Sequence, residues 1–396
     1  MKQPDLSVAI VVPWLPGAGG VAGHRTSIDY ARELASRGLR VDFVTGRIFR
    51  GLTRAVGEAL GNARFHYLKE IRAGEASIPR YARHQYSRIL DRQLAKAIAK
   101  LHSSEPIDFV LVAATEGHWL PAYLRAYVPG PRPLTSVCVT ELVEHPFWLG
   151  YERNWTLARL LLSPLYPAFH AFEAQRLQRF DLVFSNSSWT SALLDYFYGI
   201  RESPTLGMVG RSFFEAKLNS SGSSYIAVPT ASLDAAGRQL IERVHQSHPN
   251  LRTYGRRSIP GIPHAGFLSE SDMISFLAGA AATLFVFDYE ALGLIPLESL
   301  AVGTPVVTIP KQGPYAVLAN NPNVRFGCTA EQLAAACSDL ERSGQGAERR
   351  LECRNSVSNF HPDHAVDALL TTIQTKLRST EYEPPSVSPR GGPVSG

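Results

Sequence analysis

Residues 6–12 read LSVAIVV, an unbroken apolar and β-branched run that stops at Pro13 and opens into a loop holding Gly17, Gly19, Gly20 and Gly23. A strand that is apolar at every position buries both faces, which places it inside a parallel sheet covered by helices. Downstream, Ile28, Ala31, Leu34 and Ala35 share one helical face, Gly38 supplies a left-handed stop, and VDFV at 41–44 resumes as strand. A β-α-β unit of this kind sets the fold class as α/β with a parallel sheet.

The pattern recurs with short strands expected at 109–113, 134–139, 182–184, 225–228, 281–287 and 305–309, separated by helical segments. At about 100–200 residues per domain, 396 residues predict two domains. The periodicity stops between 201 and 224, where NSSGSS at 219–224 is linker composition. The expected layout is a first domain over 1–200, a linker over 201–224, a second domain over 225–360 and a terminal helix over 361–378. Residues 379–396 are rich in Pro, Gly and Ser and are expected as a disordered tail.

Composition removes several classes. No run of about 18 apolar residues offers a spanning helix, and no cleavable leader is evident, so the chain is expected in the cytoplasm. Cys138, Cys328, Cys337 and Cys353 form neither a CxxC pair nor a regular framework, which argues against structural zinc and a disulfide scaffold. The net charge of +5 is uneven: residues 47–100 carry 12 basic and 4 acidic side chains. Within that stretch, 80–101 is expected as a helix with Tyr86, Ile89, Leu90, Leu94, Ala97, Ile98 and Leu101 on an apolar face and Arg80, Arg83, Arg88, Arg92, Lys96 and Lys100 elsewhere. Either that helix covers the core with a solvated basic side, or it also touches an anionic membrane surface. No nucleic-acid partner is expected.

The most informative stretch is FDYEALGLIPLESLAVGTPVV at 287–307. A strand delivers two carboxylates, Glu290 and Glu298, eight positions apart around a glycine-containing turn that enters a helix. Such a turn aims backbone N–H groups at a phosphate, aided by the helix dipole, while the carboxylates can accept hydrogen bonds from sugar hydroxyls. The stretch resembles the signature of the retaining glycosyltransferases of family 4, the group 1 glycosyl transferases of the GT-B fold. Glu290, Gly293, Leu294, Pro296, Glu298, Ala301, Gly303, Pro305, Val306 and Val307 match it in register. The opening PWLPGAGGV with RGLRV at 37–41, and DLVFSNS at 181–187, are similar to the same family, so the resemblance spans about residues 6–378.

The resemblance implies two Rossmann-like domains facing across a cleft, an amino-terminal one for the acceptor and a carboxyl-terminal one for the donor. It implies transfer of a sugar from a nucleoside diphosphate to an acceptor hydroxyl with retention, in which stabilising the leaving group matters more than a protein base. The acceptor is left open among natural products, lipid-linked sugars and polysaccharides. No cofactor or metal requirement is expected. Glu290 would touch the donor sugar, the amides around Gly293 and Leu294 the diphosphate, Glu298 the ribose, and Gly19 and Gly20 would let the backbone approach donor phosphate and sugar.

The departures from the family are equally specific. Thr230 stands where the family carries an arginine on the diphosphate, and the lysine about five residues later is missing; Arg25, Arg256, Arg257 and Lys311 are the candidate replacements, with Arg256 taken as a donor residue. VGR at 209–211 with Lys217 resembles the missing motif but precedes the linker. The 251–267 segment is shorter than usual. His145 is a candidate for the histidine that follows the 134–139 strand, and otherwise a structural loop histidine. Glu116 and His118, beyond the 109–113 strand, together with Glu141, are candidate catalytic and acceptor-binding residues, or loop side chains without chemistry. The missing cations also keep open a catalytically inert GT-B partner or nucleotide-sugar binding protein.

Overall fold

The computed structural model describes residues 6–15, 21–71, 80–113, 117, 119–140, 166–218, 225–231, 233–287, 290–343 and 346–379. Six parallel strands build the first sheet: β1 (Ser7–Leu15), β2 (Arg40–Phe49), β3 (Arg64–Ile71), β4 (Phe109–Val112), β5 (Leu134–Val139) and β6 (Leu182–Ser185). Their order is β3-β2-β1-β4-β5-β6. Five more build the second: β7 (Ile226–Pro229), β8 (Leu251–Tyr254), β9 (Ala282–Phe285), β10 (Val306–Thr308) and β11 (Val324–Phe326), in the order β11-β10-β9-β7-β8. The strand order reverses at β1/β4 and at β7/β9, and open parallel sheets bind ligands beyond the carboxyl ends of the strands at such points.

Strand β1 shows why the run at 6–12 is continuously apolar. Val8, Ile10 and Val12 pack on one face against Ile28, Ala31 and Leu34 of the Val21–Ser36 helix. Ala9 and Val11 pack on the other, against Leu90, Leu94 and Ile98 of the Arg80–Ser104 helix. Each fully buried Val, Ile or Leu contributes roughly 1.5–3 kcal/mol, so both faces stabilise the sheet.

Three strands escape the sequence pattern. β3 reads RFHYLKEI and is largely exposed at the sheet edge, so it lacks an apolar stripe. β8 is an edge strand with Arg252 exposed, and β11 has three residues. The basic helix also differs from expectation. Leu90, Asp91, Leu94, Ala95, Ile98 and Ala99 are buried, whereas Ile89 is 60% exposed. The buried stripe is rotated toward position 91 because the Asp91 carboxylate turns inward and accepts the Trp119 amide at 3.0 Å.

Between the sheets the chain carries a short helix, Arg211–Glu215, where the sequence suggested only linker. Leu206 and Met208 belong to the core beneath β1, while Val209, Phe213 and Phe214 belong to a core of the second sheet. The Pro362–Ser379 helix then comes back, burying Ala365, Val366, Leu369, Leu370 and Ile373 in the core beneath β1. Residues 219–224 of the expected linker and 380–396 of the expected tail lie outside the described residues. Cys138, Cys337 and Cys353 are buried free thiols and Cys328 is an exposed one. No helix among the described residues is long and apolar enough to cross a membrane.

Candidate active site

The turn after β9 is where the sequence motif becomes geometry. The Leu294–Ala301 helix has Gly293 as its N-cap, so Glu298 sits in its second turn. Gly293 has φ +84°, and a Cβ there would lie 2.8 Å from Pro314 Cγ, so only glycine fits without strain. Pro296 sits in the first turn, where its missing N–H has no intrahelical partner to lose. Glu298 is 1% exposed and Leu294 half-buried. Ser299 ties the helix down: its hydroxyl donates to the Thr304 carbonyl at 3.0 Å and pairs with Thr283 of β9 at 2.7 Å.

Glu290 is held through its backbone. Its amide donates to Gln312 Oε1 at 3.0 Å, and its carbonyl accepts from the Gly313 amide at 3.1 Å. Gln312 has φ +50°, unique among the described non-glycine residues in being positive, and a Cβ on Gly313 would fall 1.9 Å from the Ala291 carbonyl oxygen. Such strain gathers where backbone must be placed for function. The reading of the sequence missed this second turn, although KQGP after a strand is turn composition.

The amino-terminal half reaches the same loop. Ser187, just beyond β6, caps the Ser188–Tyr198 helix by accepting from the Thr190 amide and donates its hydroxyl to the Ala291 carbonyl at 2.6 Å. Arg25, in the helix that follows β1, lies with Nη2 against Glu298 Oε1. Residues beyond the carboxyl ends of β1 and β6 thus touch residues beyond the carboxyl end of β9, so the two sheets present their ligand-binding edges to each other.

The candidate cations separate clearly. Thr230 is fully buried at the end of β7, and its hydroxyl donates to the Tyr254 carbonyl at 2.9 Å, leaving it no hydrogen for a phosphate. Arg211, of the motif before the linker, is bound to Glu33 at 2.7 Å and Asp363 at 2.6 Å, and those carboxylates raise its pKa above the usual guanidinium value. It fastens the short helix to the two helices that flank it. Arg256 and Arg257 follow β8 and are exposed, with no hydrogen bond or ion pair among the described residues. Gly255, just before them, would set a Cβ 2.9 Å from Thr230 Oγ1, so they leave the sheet beside the position that lacks its arginine. Lys311 is exposed ahead of the Gln312–Leu318 helix.

Two further groups carry shifted pKa values here. Burial pushes the Asp29 carboxyl up to about 6, against the opposing pull of Arg32 and Arg25. Burial also raises the Tyr254 phenol, with Arg25 pulling it back. Gly19, Gly20, Glu116, His118, Glu141 and His145 lie outside the described residues. Among the described residues no group of three His, Cys, Asp or Glu side chains is placed to hold a metal ion.

Residues 260–358 match the family model described as Glycosyl transferases group 1. The chain carries a group 1 glycosyltransferase domain. The matched residues contain Glu290, Gly293, Glu298 and the Gln312–Gly313 turn. No curated protein sequence matches this chain. Among solved structures, a glycosyltransferase from Rickettsia africae is similar over 96% of this chain and all of its own, at 15% identity and a TM-score of 0.65. HepE of Anabaena, in complex with UDP and glucose, is similar over 93% of this chain and all of its own, at 11% identity and 0.65. Sucrose-phosphate synthase from Thermosynechococcus elongatus is similar over 94% of this chain and all of its own, at 14% identity and 0.68. The chain therefore has the GT-B fold, with its two Rossmann-like sheets.

Proposed function

We propose that this glycosyltransferase moves a sugar from a UDP-sugar to an acceptor hydroxyl, with the donor held in the carboxyl-terminal half. The observation that carries the reading is the pair of anchored carboxylates: Glu290, gripped on both sides of its backbone, and Glu298, buried in the second turn of a helix that begins at a left-handed glycine. In this reading Glu290 accepts from the donor-sugar hydroxyls and Glu298 from the ribose. The amides at Gly293 and Leu294 meet the diphosphate, with the helix dipole adding about 0.3–1 kcal/mol. Arg256 supplies positive charge from the turn after β8. The HepE complex makes UDP the first base to try.

The chemistry needs no protein nucleophile. The acceptor hydroxyl attacks the anomeric carbon from the face the diphosphate leaves, and its proton passes to the departing phosphate oxygen. By the family resemblance Gly19 and Gly20 would serve the donor phosphate and sugar, and Glu116, His118, Glu141 and His145 are the candidates for chemistry and acceptor binding. Residues 1–200 would form the acceptor domain and 225–360 the donor domain.

A melting-temperature screen against UDP, GDP, ADP and TDP tests the reading. At one hundred times the dissociation constant a bound nucleotide adds about 2.7 kcal/mol, a visible rise. A selective rise with UDP is expected; no rise with any of the four points instead to an inert GT-B partner. A second reading concerns where the acceptor lies. Ile89 is exposed between Arg88 and Arg92, and this surface suits an anionic membrane face. Liposome binding that requires anionic lipid and weakens with salt would support it.

A further inference from the structure

Arg25 belongs to the amino-terminal half, yet its side chain ends in the middle of the proposed donor site. Its Nη2 lies against Glu298 Oε1, and the guanidinium stands 5.1 Å from the centre of the buried Phe213 ring. Arg25 also acts on the phenol of Tyr254, whose carbonyl holds the Thr230 hydroxyl. The arginine therefore lies against the helix carrying Glu298 and within electrostatic reach of the Tyr254 side chain of β8. A carboxylate as buried as Glu298 needs a counter-charge, and Arg25 is the charged partner that the described residues give it.

We propose that Arg25 is the cation that meets the donor's diphosphate, supplied by the amino-terminal half in place of the arginine absent at Thr230. The inference rests on the reading of Glu298 as the ribose carboxylate. The ribose hydroxyls and the α-phosphate are a few bonds apart through C4′, C5′ and O5′, a span that a long arginine side chain starting at the ribose carboxylate can cross by rotating. When the ribose hydroxyls take Glu298, Arg25 turns its fork from carboxylate to phosphate oxygens, a geometry it suits equally well. The donor would then draw its charge from one half and its hydroxyl recognition from the other, and would bind tightly only when both halves are together.

Calorimetric titration of UDP, UMP and uridine into the full chain and into Arg25→Ala and Arg25→Lys tests this. The expected result is a loss of about tenfold or more for UDP in Arg25→Ala, little change for uridine, and an intermediate value in Arg25→Lys. Equal losses for UDP and uridine would overturn the proposal, because Arg25 would then act only by orienting Glu298. Unchanged or tighter UDP binding would overturn it too, marking Arg25 as a competitor of the ribose. Melting curves of both variants guard against misfolding, and the ratio of UDP to uridine affinity is insensitive to partial unfolding. If the unaltered chain binds UMP and UDP no better than uridine, the donor-site reading itself fails, which the variants alone would not show.

Discussion

The two facing sheet edges carry the same kind of expectation and received it very differently. Beyond β9 and β10 the motif residues are part of a strand-turn-helix whose every joint is fixed: Gly293 by its left-handed φ, Ser299 by two hydroxyl contacts, Glu290 by the Gln312–Gly313 turn. Beyond β1, β4 and β5 the residues singled out for phosphate and acceptor fall outside the described residues, and the neighbours Arg25 and Ser187 show where that edge points. A donor site that must recognise one invariant diphosphate can be built into regular structure.

The sharpest way to break this comparison is Glu298→Ala. If the carboxyl-terminal edge holds the donor, nucleotide affinity should fall about 100-fold, since the buried charged acceptor for the ribose hydroxyls is lost. Calorimetry with UDP measures it, and unchanged affinity would move the donor elsewhere.

Asp29 tests the seam on the other side. Its carboxyl is pushed up to about 6 in the fold from an ordinary 3.8. As pH rises through about 4 the unfolded chain releases this proton first, so the fold holds the extra proton and stability falls until about pH 6. The full effect is of order 3 kcal/mol. Asp29→Asn should abolish that decline, and melting curves at pH 4.5 and pH 7 for both proteins show it if the gap between them widens with pH.

Arg211→Ala comes next. It leaves the buried Glu33 without its guanidinium and should lower stability by about 2 kcal/mol in urea titrations. Uridine affinity should stay the same, because the residue fastens helices and does not touch the proposed site.

The smallest contrast compares two glycines of the same half. Both Gly293 and Gly261 have left-handed φ, +84° and +80°, but a Cβ meets Pro314 at the first and nothing within 4 Å at the second. Gly261→Ala should cost about 1 kcal/mol of stability with UDP binding intact. Gly293→Ala should cost about 1–2 kcal/mol and weaken UDP as well. Equal effects on binding would mean that the turn at 293 is structural only.

What could be read beforehand follows from where physics leaves a mark in the chain. Continuous apolar runs announced β1, β4, β5 and β9 because each is buried on both faces. The Glu290-to-Glu298 segment announced a strand-turn-helix because Gly293 takes a left-handed φ and Pro296 suits a first helical turn. β3, β8 and β11 left no such mark, being exposed at an edge or too short. Ile89 was misplaced because Asp91 turned inward, a buried polar contact that no apolar period encodes. The partnership of Arg25 with Glu298 joins residues 273 positions apart and is visible only once the sheets face each other.

Donor hydrolysis gives the most direct test of the central claim, that the carboxyl-terminal sheet edge holds and cleaves a nucleotide sugar. Nucleotide release from UDP-, GDP-, ADP- and TDP-sugars would be followed for the unaltered chain, Glu290→Gln and Glu298→Ala, without acceptor. The account predicts slow release from UDP-sugar alone by the unaltered chain and release at background in both variants. Equal release by all three proteins, or none by the unaltered chain from any donor, would contradict it.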